Sequence, residues 1–186
     1  MSKKNFGQNF LIDQEVIKKI VTNIKIKSKN ILEVGPGNLA LTKPIIDEKP
    51  NIYIGIEIDR DFKTKIIDKN ILSNILFDDA LKIDEKLLFY NQNFTIISNL
   101  PYNISSQLLI KWCILQNDHH CIDEMILMFQ KELGERILSD HNSKKYGSLS
   151  VLVQAFFNIK RIVFVSKECF NPAPKVESIV LHFLPL

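Results

Sequence analysis

The stretch Ile31-Leu32-Glu33-Val34-Gly35-Pro36-Gly37-Asn38-Leu39-Ala40 decides the architecture. It reads as a buried strand that runs into a glycine turn and then into a helix. Glycine is needed where the backbone takes positive φ or passes close to a ligand that a Cβ would displace. A strand, glycine turn and helix in this order open a doubly wound α/β sheet, whose ligands bind at the carboxyl edge of the strands. By itself the G-x-G pattern also opens dinucleotide sites, and Ala40 in the third-glycine position is tolerated there. Glu33, two residues ahead of the loop, argues the other way. A carboxylate at that point sits badly beside a pyrophosphate and well beside a cationic ligand carrying an ammonium and a sulfonium.

Outward from this unit, short apolar runs alternate with helix-length amphipathic stretches. The runs are Asn30–Val34, Ile52–Ile58, Asn74–Phe77, Phe94–Ser98, Met125–Phe129, Ile159–Val165 and Ser178–Phe183. Leu39–Glu48, Arg60–Lys69 and Ser105–Gln116 read as helices between the first five. Near-continuous apolar strands separated by helices mark a mostly parallel sheet covered on both faces. Asp13 is placed to cap a first helix reaching about Ile24, with Val16, Ile17, Ile20, Val21 and Ile24 on one stripe. Further helices are expected over 130–138 and 149–157. The last two strands are joined by a loop with Pro172 and Pro174, without a crossover helix, which predicts an antiparallel edge.

Acids at the strand ends extend the ligand site. Glu57 closes the second strand twenty residues after Gly37, where a carboxylate can accept from both hydroxyls of a ribose. Inside an otherwise apolar run such a charge is costly unless it is used. Asp79, in Phe77-Asp78-Asp79-Ala80-Leu81, can accept from an adenine amino group, with Asp78 beginning the turn. The same pair would equally serve as a helix cap.

The fourth strand runs directly into Asn99-Leu100-Pro101-Tyr102-Asn103. An aromatic amine is a weak nucleophile because its lone pair is delocalised into the ring. Two acceptors for its N–H groups make the nitrogen more tetrahedral and turn the lone pair outward. The Asn99 side-chain oxygen can be one acceptor and a backbone carbonyl beside Pro101 the other, with proline fixing that carbonyl's direction. Tyr102 can then stack on the base. The chemistry implied is methylation of an exocyclic amine, mainly by orientation.

The chain resembles the ribosomal small-subunit RNA adenine N6,N6-dimethyltransferases along essentially its whole length. Carrying the resemblance are Lys4-Asn5-Phe6-Gly7-Gln8-Asn9-Phe10-Leu11, Glu33-Val34-Gly35-Pro36-Gly37, Ile56-Glu57-Ile58-Asp59, Asp79-Ala80-Leu81 and Asn99-Leu100-Pro101-Tyr102-Asn103-Ile104-Ser105. Phe129-Gln130-Lys131-Glu132, Tyr146-Gly147-Ser148-Leu149-Ser150 and Phe170-Asn171-Pro172-Ala173-Pro174-Lys175-Val176-Glu177-Ser178 follow. The resemblance implies a Rossmann-like class I fold: a mostly parallel seven-stranded sheet with an antiparallel edge strand and helices on both faces. S-adenosyl-L-methionine would be the cofactor, bound by Asn9, Leu11, Gly35, Gly37, Glu57, Asp79 and Asn99. Asn99, Leu100, Pro101 and Tyr102 would form the catalytic segment, with Phe170 as the second face of a clamp on the target base. Gly7-Gln8-Asn9-Phe10-Leu11 would close over cofactor and target, or serve as a strap anchored by Phe10 and Leu11. The target implied is two adjacent adenosines near the 3′ end of small-subunit rRNA, modified on assembling subunits.

The same resemblance implies one methyltransferase catalytic domain over 1–186, with 1–29 as an N-terminal cap segment and first helix. Members usually continue into a small helical RNA-binding domain, which this chain is expected to lack, with weaker docking to ribosomal particles as the consequence. The rival is a macrolide-resistance type large-subunit rRNA methyltransferase; those enzymes tend to carry Ile where Leu100 stands. A non-catalytic assembly or transcription factor of the same fold is the alternative of another class, against which Gly35, Glu57, Asp79 and Asn99 argue.

Composition fits this reading. With 46% hydrophobic and 24% charged residues the chain is that of a soluble globular protein, with neither secretory signal nor membrane span expected. Cys113, Cys121 and Cys169 are odd in number and lack metal-ligand spacing, so reduced thiols, a cytoplasmic location and no metal are expected. The adjacent His119 and His120 have no third ligand in view. Net charge is only +3, but residues 1–29 carry +5 and 141–175 carry +5, against −6 over 30–140. Two basic flanks around an acidic middle suit an RNA-facing rim beside a pocket. A monomer is expected.

Overall fold

The computed structural model describes residues 9–186; the Lys4-to-Gln8 part of the N-terminal motif lies outside the described residues. The elements follow in the order β1 (Phe10–Leu11), α1 (Gln14–Thr22), β2 (Asn30–Val34), α2 (Thr42–Asp47), β3 (Ile52–Ile56), α3 (Phe62–Lys65) and α4 (Lys69–Ser73). Then come β4 (Ile75–Leu76), α5 (Glu85–Leu88), β5 (Phe94–Asn99), α6 (Ser105–His119), β6 (Ile122–Gln130), α7 (Lys131–Ile137), α8 (Ser148–Gln154), β7 (Phe157–Val165), β8 (Phe170–Asn171) and β9 (Ser178–Pro185).

Seven strands form one sheet in the order β4-β3-β2-β5-β6-β9-β7. The five strands from β4 to β6 are parallel, and β9 inserts antiparallel between β6 and β7. The chain reverses direction of winding between β2 and β5, and that switch point is where ligands bind in such sheets. Every residue of β2 is buried, as expected of a central strand covered on both faces. One core lies under α6, α7 and α8, built around Trp112, Phe94, Phe129 and Phe183. The other lies under α1 and α2, around Ile17, Ile20, Ile45 and Val180.

Asp13 caps α1 as expected, its carboxylate accepting from the Val16 N–H at 2.9 Å. The 60–69 stretch differs from the single helix its composition suggests. Ile66 is extended, and Asp68 starts a second short helix by accepting from Asn70 and Ile71 N–H groups. An Asx residue that offers its side chain to the backbone competes with helix continuation. Likewise α2 starts at Thr42 rather than Leu39, because Leu39 is in the left-handed region at φ 68°. The α5 turn, capped by Asp84, was not expected from the periodicity. Nor was the two-residue antiparallel ribbon of β1 with β8, a pairing across some 160 positions.

Candidate active site

The loop after β2 is shaped by alternating backbone hand. Gly35 and Gly37 have φ of 74° and 50°, values that L side chains rarely adopt, and Leu39 repeats the pattern. A Cβ on Gly37 would stand 3.0 Å from the Phe10 ring, so the glycine also lets β1 lie over the loop. The Gly37 N–H turns toward β3 and donates to Glu57 Oε2 at 3.0 Å. Glu57 Oε1 accepts from the Asp59 N–H at 2.9 Å. Two backbone donors thus orient a carboxylate that is only 3% exposed, while burial pushes its pKa upward.

Glu33 is buried beneath the same loop. Its Oε2 accepts from Thr42 Oγ1 at 2.7 Å and from Tyr53 Oη at 2.6 Å. Burial raises its pKa to about 7, against the opposing effect of those two hydroxyls. Tyr53 and Thr42 went unsuggested by motif reading, although a tyrosine within an apolar strand run signals a buried partner. Asp79 forms an Asx turn, accepting from the Leu81 N–H at 3.0 Å, whereas exposed Asp78 accepts from the Asp79 N–H.

At the end of β5, Asn99 Nδ2 points to the Asn9 carbonyl at 3.5 Å, the outer limit of a hydrogen bond. That orientation leaves Oδ1 as the acceptor. Ser98 Oγ donates to the Val34 carbonyl at 2.5 Å and ties the carboxyl ends of β5 and β2 together. Tyr102 is half-buried, and its hydroxyl meets Ser178 Oγ at 2.6 Å, which fixes the ring plane.

These pieces meet around one cavity of about 220 Å³ at the carboxyl edge of β2, β3, β4 and β5. Asn9, Leu11, Gly35, Gly37, Glu57, Asp79, Asn99, Leu100, Pro101 and Tyr102 all line it. Phe170 does not. It pairs with Leu11 across the β1–β8 ribbon, is 3% exposed, and packs in the core under α1. Its ring therefore lies beneath the strap that carries Asn9, not on the cavity wall. Also on the wall, and absent from the sequence-derived set, are Asn38, Ile58, Leu81, Asn103 and Ile104.

Among the described residues the wall holds three carboxylates, Glu33, Glu57 and Asp79, and no cationic side chain. Such a donor set fits a cationic ligand with a ribose and an amino-bearing base, and disfavours a pyrophosphate. A parallel sheet reversed at one edge, with an acidic cavity over its switch point, is the architecture of the Rossmann-like class I S-adenosylmethionine-dependent methyltransferases. Residues 1–185 match the family described as Ribosomal RNA adenine dimethylase, and the chain belongs to that family.

Among curated relatives, the Ribosomal RNA small subunit methyltransferase A of Pelagibacter ubique is 40% identical over 185 residues, covering 99% of this chain and 70% of that protein. Its namesake from Mycoplasmopsis pulmonis is 42% identical over 186 residues, covering 98% and 71%. Among solved structures, a dimethyladenosine transferase from Plasmodium falciparum superposes with a TM-score of 0.81 at 30% identity, covering 95% of this chain and 63% of that one. A 23S rRNA methyltransferase superposes at 0.79 with 23% identity, covering 96% and 70%, a likeness of fold alone. The chain thus spans between three-fifths and three-quarters of the length of these proteins.

Proposed function

We propose that this chain is a catalytic domain that methylates the N6 amino group of adenosines in small-subunit rRNA during ribosome assembly, the targets being two adjacent adenosines near its 3′ end. The observation that carries the reading is Asn99 on the cavity wall, its amide turned by the Asn9 carbonyl so that Oδ1 is offered as an acceptor.

S-adenosylmethionine supplies an electrophilic methyl group on a sulfonium. The chain's own part is to bind, orient and exclude. Glu57, held by the Gly37 and Asp59 N–H groups, is arranged to accept from ribose hydroxyls. Asp79 is placed to accept from an adenine amino group and Glu33 to face an ammonium. Asn99 Oδ1 and a backbone carbonyl beside Pro101 accept the two N–H groups of the target amine, freeing its lone pair. Tyr102 stacks on the target base, its plane set through Ser178. The alkylated nitrogen is acidic and releases its proton to solvent, so no strong general base is required. Catalysis rests on orientation.

Phe170 contributes by packing under the strap rather than as the opposite face of a clamp. The mechanism calls on no metal, and no group of three or more metal-ligating side chains is found among the described residues. No described helix is long and apolar enough to cross a membrane. We take the protein to act as a cytoplasmic monomer.

Substrate choice follows the stronger likeness: 40–42% identity to small-subunit enzymes, against 23% to the 23S rRNA methyltransferase. The test is transfer of labelled methyl groups to unmethylated small and large ribosomal subunits, with the modified nucleotides mapped. Dimethyladenosine in small-subunit rRNA is expected; label confined to the large subunit would overturn the reading.

A further inference from the structure

Beyond the cavity, the carboxyl edge of the sheet continues onto β9 and β7, where an exposed aromatic side chain stands beside two cations. Phe164, next to last in β7, is 44% exposed. The Arg161 guanidinium lies over its ring at 4.5 Å from the centroid, and the Lys131 ammonium at 5.3 Å. Its exposure on an edge strand leaves the ring and both cations open to a partner. Neither cation is spent on holding the fold. Arg161 makes no ion pair among the described residues, and Lys131 pairs only with exposed Glu177, at 2.6 Å.

Position supplies the second argument. Phe164 faces Ile179 across the β7–β9 ladder, one residue from Ser178, whose hydroxyl holds Tyr102 at the cavity mouth. Adjacent strand residues are roughly 3.3 Å apart and point to opposite faces, so Phe164 and the Ser178 that holds Tyr102 share the carboxyl edge of the sheet from its two faces. Lys131 begins α7 just where β6 ends, and its N–H donates to the Glu177 carbonyl at 2.9 Å. The cavity wall itself is acidic and would repel a phosphate, so a polyanion that delivers a base to it needs cationic support outside it.

We propose that Arg161, Phe164 and Lys131 form a docking strip for the RNA strand flanking the target nucleotide. Arg161 and Lys131 contact phosphates, the latter exchanging Glu177 for one, and the Phe164 ring supports a neighbouring unstacked base. Aromatic rings and cations side by side are the pairing that single-stranded RNA requires. This inference rests on the proposed RNA substrate and places the approach path of its backbone.

The test measures binding of a labelled hairpin oligoribonucleotide with two adjacent loop adenosines, across a salt series, alongside methyl transfer to it and cofactor binding. Arg161→Gln should weaken RNA binding several-fold and reduce the magnitude of the salt slope by about 0.7 to 0.9. Phe164→Ala should weaken it by about tenfold with the slope unchanged, and Phe164→Trp should restore it. Glu177→Gln should tighten binding by freeing Lys131. Cofactor affinity should stay constant throughout. Wild-type RNA affinity in Arg161→Gln, Phe164→Ala and Glu177→Gln alike would overturn the strip. If Arg161→Gln and Phe164→Ala lose affinity only for whole ribosomal subunits and not for the hairpin, the strip docks protein and the inference is likewise overturned. A wild-type chain that neither binds nor methylates RNA would instead sink the proposed function itself.

Discussion

Lys111 holds its ammonium 2.8 Å from the carboxylate of Glu85, which is 1% exposed, and the same ammonium caps the carbonyls of Ala80 and Ile83. The pair anchors the turn after Asp79 to α6, the helix that follows the Asn99–Tyr102 segment. Glu85 Oε1 also accepts from the Trp112 indole at 2.9 Å, while its Oε2 has no partner among the described residues. Lys111→Met leaves that buried charge unpaired, and breaking such a pair costs about 3 kcal/mol or more. Denaturant unfolding should show a loss of that order. Lys111→Met with Glu85→Leu should recover most of it, and failure to recover would mean that the carboxylate matters for something besides the pair.

Asn99→Ala should lower kcat by a factor on the order of 10² to 10³, the scale of losing one preorganised hydrogen-bond partner in a closed site. Cofactor affinity should change far less, since Asn99 is only one of the residues lining the cavity. Calorimetry beside single-turnover transfer separates the two. Retained activity would refute acceptance of the amine protons by Oδ1.

Glu33 should make cofactor binding depend on pH. Its folded pKa is raised to about 7 from the ordinary 4.5, so between those values the folded state holds more protons than the unfolded one. Its contribution to stability therefore falls as pH rises from about 4.5 to 7 and is level above. A cationic ligand favours the charged form, so affinity should rise between pH 5.5 and 7.5, with proton release on binding near pH 6. Calorimetry in buffers of different ionisation enthalpy detects that release. Glu33→Gln should abolish it. Tyr53→Phe, by removing the 2.6 Å hydroxyl bond that lowers the pKa, should move the midpoint upward.

Phe170 distinguishes packing from stacking. If its ring acts only in the core under the strap, Phe170→Leu should keep transfer near the wild-type rate with a modest drop in thermal stability. Phe170→Ala should cost about 3 to 5 kcal/mol. A large fall in kcat for Phe170→Leu in a protein of normal stability would return the ring to the target base.

Gly134→Ala tests the seating of α7 on the sheet. The added Cβ would fall 2.1 Å from Ile179 Cγ2, closer than any real contact, so helix or strand must shift. Overpacking of this kind costs about 1 to 3 kcal/mol. Thermal unfolding should report it, and Ile179→Ala in the same chain should relieve part of the loss.

Which side chains can be inside, and where strands alternate with helices, is local information. The runs beginning at Asn30, Ile52 and Phe94 were therefore legible, as was the cap at Asp13. The acids closing those strands were legible for the same reason: Glu33 and Glu57 interrupt apolar runs, and a parallel sheet brings strand ends to one edge. Asn99–Tyr102 could be singled out because it is four consecutive residues, and all four line the cavity. Pairings between distant segments could not. The β1–β8 ribbon joins Leu11 to Phe170 by two residues of ladder, too short to leave a periodicity, and it alone decides that Phe170 faces the core. The proton affinity of Glu33 depends on burial and on Tyr53, and the Phe164 cluster on a register that brings β7 beside β9 and α7. Sequence by itself determined the sheet, the acids at its carboxyl edge and the Asn99–Tyr102 segment beside them, because hydrophobic pattern and backbone hand act over a few residues. Tertiary structure decided orientation, burial and charge environment, because those depend on neighbours that the chain brings together only after it has folded.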